Sequence, residues 1–183
     1  EIYGENNSLF AFSLHNLGGF YTQINRNDKA KNLLKKSINI NKKILPPNHP
    51  MTGNSLRVLA GIYENEGLYK KAKLFLEESL RIHKNAYGDN SYELKQLNDL
   101  AYINLFLEDY SQSMNQFRKF LINELIYIQE ELPLMSLRER EELVKSISIY
   151  NPGTLYSKFK NKEGKELALF ARLNSQGLIQ EIA

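Results

Sequence analysis

The sequence predicts an all-α fold: helical hairpins repeated in series, then further helices. Three observations carry this. A sequence pattern recurs at a period of about 42 residues. Within each unit apolar residues recur at three- and four-residue steps, the spacing of one helix face. Pro 5 and Gly 10 are few for 183 residues, and no alternating strand pattern appears.

The units run over about 3–44, 45–86 and 87–125. "SLHNLGGFY" at 13–21 aligns with "SLRVLAGIY" at 55–63, placing Leu14, Leu17 and Tyr21 on Leu56, Leu59 and Tyr63. "QLNDLAYIN" at 96–104 follows after a shift of 41, with Leu97 and Leu100 at the leucine positions. These are the first helices of three hairpins. "NDKAKNLLKKSINI" at 27–40, "YKKAKLFLEESLRI" at 69–82 and "YSQSMNQFRKFL" at 110–121 are the second helices. Ala30, Ala72 and Ser113 share one position, because two antiparallel helices approach closely only where one contact residue is small. Ala72, Leu76, Ser79, Leu80 and His83 form the core stripe of the second unit, and "NEG" at 65–67 breaks the chain between its helices.

After Phe120 the repeat lapses. The helix is expected to continue with Phe117, Leu121, Leu125 and Ile128 on one face until Pro133 stops it. Ser136 and Glu139 form a capping-box pair for a helix bearing Leu137, Val144 and Ile147. "NPG" at 151–153 makes a turn, and a last helix from about Gly164 carries Leu167, Phe170, Ala171 and Leu178 on one side. Residues 126–183 are thus read as a non-repeat helical spacer or cap. The opening without Met and the stop in mid-pattern suggest a piece of a longer protein.

Composition narrows the chemistry. The absence of cysteine excludes a disulfide scaffold, a cysteine zinc site and a cysteine nucleophile. No apolar run approaches the roughly 20 residues that span a bilayer, and no secretory signal opens the chain. His15, His49 and His83 are too scattered for a metal site, and no Gly-x-Ser-x-Gly elbow or phosphate loop occurs. No catalytic residue, metal or cofactor is therefore expected, and a cytoplasmic location is. Helix 27–43 carries Lys29, Lys31, Lys35, Lys36, Lys42 and Lys43. A net charge of +3, and acids at the equivalent place in the next repeat, disfavour nucleic acid as its partner.

"LAGIYENEGLYKKAKLFLEESLRIH", with Leu59, Ala60, Tyr63, Gly67, Tyr69 and Ala72, followed by "YGDNS", resembles the tetratricopeptide repeat in the long variant of the kinesin light chains. The first repeat departs from it with Gly18, Asn25 and Asn27; the third departs with Glu108, Ser113 and Phe120. The resemblance covers about 3–125 and implies a right-handed α-solenoid that binds protein or peptide along a concave groove. "LMSLRER" at 134–140 and "LALFARLNSQGLIQEIA" at 167–183 resemble the spacer before caspase-like peptidase domains of the CHAT family in bacteria. Gln176 stands where that family has a basic residue. Its catalytic histidine and cysteine would lie beyond Ala183, so none is assigned here.

In such a solenoid the first helices line the groove. Helical phase with this resemblance selects His15, Thr22 and Gln23 in the first repeat, Asn54, Arg57, Glu64 and Asn65 in the second, and Lys95, Asn98 and Tyr102 in the third. Amides and a guanidinium suit a peptide backbone or carboxylate. The expected function is a protein-interaction module, the regulatory arm of a larger CHAT-type protein. The alternatives are a stand-alone adaptor and, more weakly, a nucleic-acid-binding repeat. Exposed repeat ends would permit self-association.

Overall fold

The computed structural model describes residues 7–88 and 91–136, and beyond them 138, 139, 162, 165, 166 and 169. At 91–95, 121, 124, 125, 127–129, 131 and 132 it describes the backbone alone. Six α-helices follow one another in these residues: α1 Ser8–Gln23, α2 Asn27–Ile44, α3 Pro50–Asn65, α4 Tyr69–Tyr87, α5 Ser91–Phe106 and α6 Tyr110–Glu131. A 3-10 turn, Leu132–Leu134, contains Pro133 and closes the series. The chain divides into two compact units, Glu1–Leu107 and Glu108–Ala183.

Each hairpin turn is set by one left-handed residue. Asn25, Gly67 and Glu108 have φ of 57°, 72° and 61°, and they occupy one position in the three repeats. That conformation folds the chain back so that Arg26 N donates to Tyr21 O at 2.8 Å and Leu68 N to Tyr63 O at 2.8 Å. These bonds satisfy carbonyls that the helix end would leave orphaned. Helix starts are also fixed locally. Asn7 Oδ1 accepts from Phe10 N at 2.8 Å, capping α1. His49 caps α3: its Nδ1 accepts from Met51 N at 3.3 Å, with Pro50 in the first turn.

One core runs through α2, α3, α4 and α5. Leu34, Leu56, Leu59, Ile62, Leu76, Ile82, Leu100 and Ile103 are buried in it. Ala30 and Ala72 are wholly buried at the small-residue position. The first repeat uses Gly18 where the second uses Ala60. A Cβ on Gly18 would lie 2.8 Å from Leu34 Cγ, so the departure is a packing requirement. Leu17 differs from its counterpart. Leu59 is fully buried, whereas Leu17 is 44% exposed. Leu59 belongs to α3, which packs on α2, while among the described residues no helix precedes α1.

A side-chain hydrogen bond also follows the repeat. Ser37 Oγ donates to Ala11 O at 2.7 Å, and Ser79 Oγ donates to Gly53 O at 2.8 Å. Each joins the second helix of a hairpin to the first, and each is buried. Phe120 stands at this position in the third repeat and has no hydroxyl to offer.

In the second unit, α6 starts where Asp109 Oδ1 accepts from Gln112 N at 3.3 Å, and it ends before Pro133. Ser113 and Phe117 are buried. The capping box forms: Ser136 N donates to Glu139 Oε2 at 2.8 Å, and Glu139 N donates to Ser136 Oγ at 3.4 Å. Ser136 Oγ also donates to Glu139 Oε2 at 2.6 Å, and this bond first, then that from Ser136 N, holds the Glu139 carboxyl below its ordinary pKa. The apolar stripes expected over 137–147 and 164–178, and the side chains of Leu121, Leu125 and Ile128, lie outside the described residues.

Candidate functional site

The first helices carry the candidate face, and three of its residues share one repeat position: His15 on α1, Arg57 on α3 and Asn98 on α5. Their order follows from the 42- and 41-residue shifts. Around Arg57 lies a cavity of about 210 Å³. Thr22, Arg57, Glu64, Asn65 and Asp99 supply its polar lining, and Ala60 is among its apolar walls. Four of the residues selected from sequence therefore meet at one place.

The chemistry there is strained by burial. Arg57 Nε is buried and makes no hydrogen bond. Leaving a buried charged donor unpaired is costly, so an acceptor would be favoured at this atom. Burial pushes the Glu64 carboxyl above its ordinary pKa, and the Asp99 charge pushes it further the same way. The face thus presents one guanidinium and two neighbouring carboxylates within a single small cavity. Asp99 was missed in the sequence. It lies one residue past Asn98, at a position of the third repeat where Asn16 and Val58 stand in the others. Only the cavity and its effect on Glu64 single it out.

Other selected residues spend their polar atoms inside the molecule. His15 Nδ1 meets Ser55 Oγ at 3.0 Å, linking α1 to α3. Burial first, and then the Arg57 charge, lower the His15 pKa. Asn54 Oδ1 accepts from His83 Nε2 at 3.0 Å. On the other side of that ring, Gln96 Nε2 lies 3.1 Å from His83 Nδ1. His83 is 1% exposed and ties α4 to both α3 and α5. Burial is the main cause of its lowered pKa; Arg57 adds to it, and bonds from Ser79 and Gln96 oppose it. Thr22 donates to Gly18 O at 3.0 Å from the cavity wall. Gln23 is exposed at the end of α1, and Asn98 and Tyr102 are half-buried on α5. Lys95 lies on α5, and its side chain is outside the described ones.

The lysines of α2 are partly neutralised. Lys31 Nζ lies 2.9 Å from Glu66 and 3.0 Å from Asp28, and Lys42 Nζ lies 2.9 Å from Glu78. Lys31 and Lys42 thus tie α2 to the second repeat. Among the described residues no group of histidine or acidic side chains could hold a metal ion. No described helix is long and apolar enough to cross a membrane.

Residues 9–85 match the family model of the tetratricopeptide repeat. No curated protein matches the chain. Among solved structures, it is similar to the nearly identical TPR-like repeats of a candidate kinesin light chain from Podosopora anserina. The identity is 18%, over 96% of this chain and 94% of that one, with a TM-score of 0.55. A second structure of those repeats, with a glutamine changed to methionine, gives 19% identity, 98% and 95% coverage and a TM-score of 0.54. Helix order, repeated turns and these matches agree: the chain has the all-α tetratricopeptide repeat fold.

Proposed function

We propose that the repeats are a protein-interaction scaffold, and that a partner peptide docks on the first helices at the cavity around Arg57. The observation that carries this is Arg57 itself, with a buried, unbonded Nε in a polar cavity. A backbone carbonyl or carboxylate of a partner would complete it. Asn98, at the equivalent position of the next repeat, would extend the contact along the face.

The test starts from a displayed random peptide library selected on the folded protein. Affinities of the selected peptides are then measured by calorimetry. Arg57→Ala with Asn98→Ala is expected to weaken them at least about tenfold, the loss of one or two charge-assisted bonds. Unchanged affinity in the double variant would overturn the site. We further propose that this scaffold is the partner-sensing arm of a larger bacterial CHAT-type protein. Its support is the sequence resemblance at 134–140 and 167–183. Reading the gene past the codon for Ala183 tests it: a domain with a histidine and a later cysteine supports it, and a stop codon leaves an adaptor.

A further inference from the structure

The cavity around Arg57 is built by three helices of one unit: Thr22 comes from α1, Arg57, Glu64 and Asn65 from α3, and Asp99 from α5. Its polar wall is unbalanced in charge. The Arg57 guanidinium brings one positive charge, and the carboxylates of Glu64 and Asp99 bring two negative ones, which leaves one negative charge in excess. The wall is unbalanced in hydrogen bonding as well. Thr22 spends its proton on Gly18 O and has lone pairs left to accept, as do the two carboxylates and Asn65 Oδ1. Arg57 Nε is a buried donor without an acceptor. Among the described residues neither Arg57 nor Glu64 forms an ion pair.

A half-buried carboxylate beside a second carboxylate, with no counter-cation, is held in an unfavourable state. Burial first, and then the Asp99 charge, raise the Glu64 pKa for that reason. A cation brought from outside relieves it. A partner carboxylate at Arg57 would instead add a third negative charge to the cavity, so a neutral backbone carbonyl suits Arg57 Nε better. An ammonium offers three donors and a guanidinium five, and neither has an acceptor, which matches a wall of acceptors. Arg57 and Glu64 stand seven residues apart on α3, about 10 Å along its axis. An extended chain covers that distance in about three residues, so one peptide can bond Arg57 with its backbone and reach Glu64 with a side chain. The chain as a whole carries +3. Its general field therefore disfavours basic peptides, and a preference for them has to arise locally.

We propose that the cavity selects a basic side chain of the partner: a lysine or arginine enters between Glu64 and Asp99 while a backbone carbonyl of the same peptide accepts from Arg57 Nε. This selection rests on peptide docking at Arg57. The peptides selected on the folded protein are the probe, synthesised with blocked ends so that they carry no terminal charge. Every peptide whose affinity falls with Arg57→Ala is expected to contain a lysine or arginine. Replacing that residue by norleucine, which keeps the methylenes and loses the charge, should weaken binding at least about tenfold. On the Glu64→Gln protein the same replacement should cost little. On Glu77→Gln, which removes an exposed carboxylate of α4 outside the cavity, it should cost the full tenfold. Arg57-dependent peptides that lack a basic residue, or that lose nothing with norleucine, would overturn the selection and leave docking at Arg57 standing. A norleucine loss that persists in Glu64→Gln combined with Asp99→Asn would put the basic side chain elsewhere and overturn it equally. An absence of binders, or peptides indifferent to Arg57→Ala, would overturn the docking and the selection together.

Discussion

The same left-handed turn is built from three different residues, and they do not suit it equally. Gly67 adopts φ near 72° without steric cost, and Asn25 tolerates its 57°. Glu108 at 61° does not: a Cβ in that region costs about 1–2 kcal/mol. Glu108 is exposed. Glu108→Gly is therefore expected to stabilise the protein by about 0.5–1 kcal/mol, the relief of strain less the added freedom of the unfolded chain. Gly67→Ala should cost about 1 kcal/mol. Urea titrations of both variants check the pair, and a destabilising Glu108→Gly would contradict the strain. In the sequence, Asn25 and Glu108 stand out as departures from the glycine of the second repeat. The structure shows that the left-handed geometry persists where the residue changes.

At the scale of the helix pair, the second repeat differs from the first by a matched exchange. Ala11 and Asn41 of the first become Gly53 and His83. A Cβ on Gly53 would come 2.7 Å from His83 Cε1, so the imidazole fits only beside glycine. Gly53→Ala is expected to cost about 1–3 kcal/mol through overpacking. Adding His83→Asn restores the pair found in the first repeat. The double variant should then be less destabilised than the sum of the two single ones by about 1 kcal/mol or more, a coupling that denaturant titrations of the full cycle measure. Additive losses would place the clash elsewhere. Repeat arithmetic makes such exchanges visible as aligned positions, and it located the repeat helices and the small contact residues, while Pro133 itself marked the end of α6. It could not show that Leu17, aligned with a core leucine, lies open. Burial depends on the neighbouring helix and not on the residue's own face.

Across the repeats, polar links through histidine decide how stability follows pH. Helical phase placed His15 and Asn54 on the binding face. It could not foresee that stacking brings Ser55 and His83 within their reach, nor that Asp99 would join the cavity. The imidazoles of His15 and His83 both titrate below their ordinary 6.5, because burial and then Arg57 disfavour the charged ring. In the unfolded chain both rings take up protons as pH falls through 6.5, while the folded chain resists, so the unfolded state binds more protons in that window. Folding stability is therefore full above pH 7 and is lost as pH falls from 6.5 toward the lowered native values. Each ring can contribute a slope of at most about 1.4 kcal/mol per pH unit. Urea unfolding at a series of pH values from about 8 to 5 is expected to show this decline, and His83→Gln should flatten it even if it lowers the plateau. Stability that holds constant or rises over that range would mean that the folded chain takes up protons at both rings at least as readily as the unfolded one.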